Sequence, residues 1–185
     1  MAKQFRWERA WESFAGGFTG KVAPKKGLGG YNQQSAKRER RANEDLFWAL
    51  VNVLNIFGII VLKHDDLGTA EDAQHIEFLV GGTWDANKTV VNLRHKNVRI
   101  LAHEFTHAMD YLKRRWAGRA EGEFIASGGG YLLVAHYTGL YSPSFDIEYA
   151  KRQGAGTGIL RRLGDYVPEL FSEMCELVDS TQRGR

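Results

Sequence analysis

Two histidines four residues apart, His103 and His107, fall in a stretch where Leu101, Phe105, Ala108 and Leu112 recur at helical spacing. Asn97 stands where an N-cap belongs, so the pattern predicts a helix from Val98 to about Trp116 with a core-facing apolar stripe. On such a helix both imidazoles leave one face about one turn apart, where they can bind a single metal ion. Glu104, beside them, supplies a carboxylate placed to take a proton from a water that the metal activates, which is the division of labour a hydrolysis needs. The segment His103-Glu104-Phe105-Thr106-His107 is therefore the predicted chemical centre, and the predicted metal is Zn²⁺.

The rest of the chain predicts a body of helices around a small sheet. With 185 residues, 43% hydrophobic and 25% charged, the chain suffices for one domain with a substantial core. Trp7, Trp11, Phe14 and Phe18 mark an amphipathic helix, expected to end at Gly16-Gly17 and to dock on the main core rather than on a membrane. Glycines and Pro24 gather over residues 16–30, so 1–34 reads as a basic arm with a flexible linker, and 35–185 as the main domain. A helix is expected from Ser35 to Phe57 with Leu46, Leu50, Val53, Leu54 and Phe57 on one face and Gly58 past its end. Strands are expected at 59–62, around Ile76–Val80 before a Gly81-Gly82 turn, and at 89–93. Residues 117–165 are glycine-rich and give no clear element, while a last helix is expected over 168–178 with Pro168 in its first position.

Charge and cysteine use narrow the setting. Residues 1–41 hold ten Lys or Arg against Glu8, Glu12 and Glu39, so the net charge of +3 belongs to the arm. That composition favours a solvated basic face, and no motif assigns the arm a nucleic-acid partner. One cysteine, Cys175, cannot form an internal disulfide, and the start lacks a long apolar run, so a cytoplasmic location without membrane insertion is expected. His64, His75, His95 and His136 share no ligand spacing and are expected to be structural or surface residues.

A catalytic zinc generally has three protein ligands, so one more must come from elsewhere. The extended motif with a third histidine is excluded, because its glycine and histidine positions hold Asp110 and Lys113. Asp165, near Gly156-Thr157, is a fallback. The preferred source is the C-terminal helix, where Glu169, Glu173 and Glu176 share a face among apolar residues that mark the helix as buried. Glu169 is expected to bind zinc and Glu173 to accept a hydrogen bond from a histidine ligand, a role for which Asp110 is a second candidate. The strand near Val90–Leu93 is a candidate to pair with an extended peptide substrate.

The segment HEFTHAMDYL, followed by a helix reading PELFSEMCE, resembles the anthrax lethal factor family of zinc peptidases. It is also similar to the zincin-like domains of large polyvalent proteins of phages and conjugative elements, which place a strand like Val91-Asn92-Leu93 and a step like Leu101-Ala102 before the motif. The resemblance covers about residues 88–112 and 166–178 and implies an α+β zincin-like fold, a small sheet packed on the HExxH helix and on a C-terminal glutamate-bearing helix. It also implies a zinc-dependent endopeptidase acting on protein or peptide, encoded by a phage or mobile element and working in the host cytoplasm. In the lethal factor family the first glutamate of an E-F-F-A-E helix completes the metal site, which maps onto Glu169, with Glu173 as the supporting carboxylate. That family's oxyanion-donating tyrosine falls on Arg162 here, so Tyr166 is taken as the donor, with the Arg162 guanidinium as the other choice. The rival to a peptidase is a zinc-stabilised binding module acting on host protein or nucleic acid through the basic arm, and a third reading is a hydrolase of non-peptide amides or esters.

Overall fold

The computed structural model describes residues 7–20, 33–63, 82–93, 96–114, 118–139 and 143–183. Seven helices and three short strands lie among them, in an α+β arrangement that is mostly helical. The expected strand at Ile76–Val80 and the histidines His64, His75 and His95 lie outside the described residues.

Helix α1 (Trp7–Thr19) runs through Gly16 and Gly17 rather than ending there, and stops at Gly20, whose φ is +75°. Gly17 is kept for space: a Cβ there would lie 2.5 Å from Ile147 Cδ1. Phe14 is fully buried and Phe18 nearly so, and both rings pack on Phe124. Each such ring contributes about 2–3 kcal/mol of burial, so the aromatic stripe is part of the core.

Helix α2 (Gln33–Ile56) buries Leu46, Leu50, Val53 and Leu54 as the periodicity predicts, whereas Phe57 lies past its end and stays partly exposed. Gly58, at φ +72°, turns the chain into β1 (Ile60–Lys63). Strands β2 (Gly82–Asp85) and β3 (Val90–Leu93) form a hairpin whose turn is closed by Asp85 Oδ1, which accepts from the backbone N–H of Asn87 and of Lys88. The sheet order is β1-β3-β2, with β1 parallel and β2 antiparallel to β3. Gly82 thus opens β2. Val90–Leu93 is paired on both sides, so the strand read as a docking edge is the central one, and among the described residues β2 pairs only with β3.

Helix α3 (Val98–Arg114) starts as its sequence dictates: Asn97 Oδ1 accepts from the Arg99 N–H at 2.9 Å. Leu101, Phe105 and Ala108 are fully buried, while Leu112 is exposed. The stretch without a clear pattern contains α4 (Arg119–Thr138), α5 (Ser144–Arg152) and α6 (Thr157–Leu163), followed by α7 (Tyr166–Arg183). Every residue of α4 from Phe124 to Ala135 is buried, because α1, α2, α3, α5 and α7 all pack on it. Helix α7 begins two residues before Pro168 and buries Val167, Leu170, Phe171, Met174 and Val178. No helix among the described residues is long and apolar enough to cross a membrane.

Candidate metal centre

The two histidines of α3 meet a carboxylate from α4. His103 and His107 lie one above the other, ring centroids 4.8 Å apart, and Glu123 Oε2 sits 3.2 Å from His103 Nε2 and 3.6 Å from His107 Nε2. The three ligand atoms lie within 4.8 Å of one another, and among the described residues this is the group of His, Cys, Asp and Glu able to hold a metal. Glu123 Oε2 is buried and makes no well-formed hydrogen bond although two ring nitrogens face it. That orphaned oxygen, and the His₂Glu donor set of catalytic zinc sites, fit a divalent metal between the three groups. The two Oε2 distances are near the about 3.3 Å that separates donors at the corners of a tetrahedral site with bonds of about 2 Å.

Electrostatics agree with the geometry. Burial pushes the Glu123 carboxyl up, but contacts with His103 and then His107 outweigh it and hold the group well below the usual carboxylate range. Burial lowers the pKa of His103, while Glu123 and Glu104 reverse this to a net rise. Glu104 is 3% exposed, and burial raises its pKa against the pull of the two imidazoles, the direction a general base at neutral pH requires. Its carboxylate accepts a hydrogen bond from the Trp84 backbone on β2. Gly82 on the same strand leaves room for it, since a Cβ there would stand 3.2 Å from Glu104 Cγ.

A second layer comes from α5. The Tyr149 ring meets His103 edge-on at 5.5 Å, and its hydroxyl lies within the electrostatic reach of Glu123. Burial first, then the charges of Glu123 and Glu104, push this phenol far up, so it stays a proton donor. Asp146, one turn earlier, pairs with Arg99 and raises the basicity of His103 from a distance; burial pushes its carboxyl up against the pull of Arg99.

The C-terminal glutamates lie elsewhere. Glu169 and Glu173 are on the solvent side of α7, 64% and 47% exposed at their side chains, and both bind the Lys113 ammonium. The mutual repulsion of these carboxylates is relieved by the lysine between them, and Glu176 is exposed as well. Glu123 rather than Glu169 thus stands beside the histidines, and Glu169 and Glu173 both turn to Lys113. Tyr166 donates to Asp110 Oδ1 at 2.7 Å, which ties α7 to α3 and engages both residues in a helix-to-helix contact. Arg162 pairs with Glu121, and Asp165 is exposed. His136 packs against Tyr137 and Phe171, as a structural histidine does. Burial pushes the Cys175 thiol up to about 12, which removes it as a nucleophile.

Glu123 escaped the sequence reading because α4 has no polar face to give it a period. Over the five positions of the E-F-F-A-E pattern, Glu123-Phe124-Ile125-Ala126-Ser127 keeps three residues and Glu169-Leu170-Phe171-Ser172-Glu173 also keeps three, so that pattern does not choose between them. Compared with known proteins, the chain matches no family model, no curated protein and no solved structure.

Proposed function

We propose that the chain is a zinc-dependent hydrolase of peptide bonds with a zincin-like fold, in which His103, His107 and Glu123 hold the metal. The observation that supports this is the Glu123 carboxylate standing against both imidazoles of an HExxH helix while Glu104 lies buried beside them. Zn²⁺ in such a site supplies a more acidic water and a Lewis acid for the scissile carbonyl. Glu104, its carboxylate raised by burial and steadied by the Trp84 N–H, takes the proton of the attacking water and passes it to the leaving amine. Tyr149, held as a protonated donor at the rim of the site, takes the oxyanion role first sought in Tyr166. An extended substrate laid along β2, which pairs only with β3 among the described residues and lies next to Glu104, would bring its carbonyl to these groups.

The test maps new protein N-termini in a lysate treated with zinc-loaded wild type or with Glu104→Gln. New termini with wild type alone are the expected result; none, with zinc bound, would remove the peptidase reading. Metal analysis assigns the ligands: Glu123→Ala should lose zinc and Glu169→Ala should keep it.

A further inference from the structure

We infer that Gly130, with Gly129 behind it, sets the separation of α3 and α4 at which Glu123 reaches both imidazoles. This rests on the metal centre proposed above. Three successive glycines in a helix interior are costly, since glycine is the least favourable residue there after proline. Here each faces a different neighbour. A Cβ on Gly128 would meet side chains of other elements, Phe14 Cε1 at 3.1 Å, Trp11 Cζ3 at 3.2 Å and Val167 Cγ1 at 3.2 Å. A Cβ on Gly129 would lie 2.6 Å from Thr106 Cγ2 on α3 and 3.2 Å from Met174 Cε. Thr106 is fully buried and anchored by its own hydroxyl, which donates to the Ala102 carbonyl at 2.7 Å.

Gly130 meets backbone. A Cβ there would lie 2.9 Å from His103 N and 3.0 Å from Ala102 C and His103 Cα. No rotamer change relieves such a contact, so the helices would have to part by about half an ångström before ordinary packing returned. Glu123 and Gly130 are seven residues apart, two turns along one face of α4. Gly122, next to Glu123, faces His107, with a Cβ position 3.6 Å from His107 Cε1. Parting the helices at Gly130 therefore draws the carboxylate from the imidazoles. Metal–ligand distances tolerate only about 0.2 Å, less than the shift required. These glycines are positioning residues: they touch no substrate and act through the placement of Glu123.

The experiment compares Gly128→Ala with Gly130→Ala in the full chain, changes alike in chemistry and place but facing different helices. It reads Zn²⁺ affinity by chelator competition, the absorption spectrum of the Co²⁺-loaded protein, and the Nε2 nitrogen shifts of His103 and His107 in the metal-free protein. Gly130→Ala should weaken zinc binding by about tenfold or more, alter the cobalt spectrum and move both imidazole shifts without metal. Gly128→Ala should change the melting temperature while leaving all three readings near wild type. If Gly130→Ala does not fold, Gly129→Ala carries the same expectation. Wild-type affinity and imidazole shifts in the folded α3-facing variant would overturn the inference, as would equal effects from Gly128→Ala. If the wild type binds no zinc, the metal centre falls, and the metal-free imidazole shifts still decide the spacing role.

Discussion

Tyr149 stands against His103 and Glu123, whereas Tyr166 is spent on Asp110. The sequence reading gave the oxyanion role to Tyr166, and the structure puts a different phenol beside the imidazoles. Tyr149→Phe is expected to lower kcat by about 10²–10³-fold with KM near wild type and zinc retained. Tyr166→Phe should leave kcat nearly unchanged and reduce stability by about 1 kcal/mol, the worth of one hydrogen bond, read from urea unfolding. His136 gives a pH prediction. Burial lowers its folded-state pKa below 6.5, opposed only partly by Asp179 across the helix pair, so it is neutral in the folded protein at pH 7. The unfolded chain takes up that proton first, so this contribution is complete above about pH 6.5 and shrinks as the pH falls. The loss of melting temperature between pH 7.5 and 5.5 should be smaller in His136→Phe than in wild type. An equal loss would show that other groups carry the acid sensitivity. At this scale His103, Glu104 and His107 were legible because their spacing alone places them, while Glu123 and Tyr149 come from helices whose approach no spacing records.

Among the elements, α3 is the one whose sequence says most. Its cap, its apolar stripe and its pair of histidines all obey the same period, and the structure keeps all three, with Leu112 alone left outside the core. Asn97→Ala should therefore destabilise the protein by about 1 kcal/mol, seen as a lower urea midpoint, and leave the site intact. Helix α4 is the opposite case. Buried on every side, it has no polar face to alternate with, and its three central glycines read as a loop by propensity. The same glycines are what the close crossing with α3 requires at His103 and Thr106. Helix α7 was found, but its acidic face was assigned to metal when Lys113 on α3 neutralises it, a contact between residues 56 and 60 positions apart.

At the scale of the molecule, the proposed metal ligands stand on both α3 and α4, so in that reading metal binding and folding are coupled. Saturating the protein with Zn²⁺ at about 100 times its Kd should raise stability by about 2.7 kcal/mol, and a chelator should reverse this. Glu123→Ala should abolish the zinc-dependent rise in melting temperature and Glu169→Ala should preserve it; the reverse pattern would return the third ligand to α7. The sequence by itself determined the elements with a clear period and the chemistry held within one turn of helix, because local spacing fixes which side chains share a face. Only the tertiary structure decided which carboxylate faces the imidazoles, which tyrosine reaches them and which strand lies beside Glu104. Those choices depend on how closely separate elements approach, and here that approach turns on the absence of a side chain at Gly82, Gly129 and Gly130, visible only once the neighbouring element is in place.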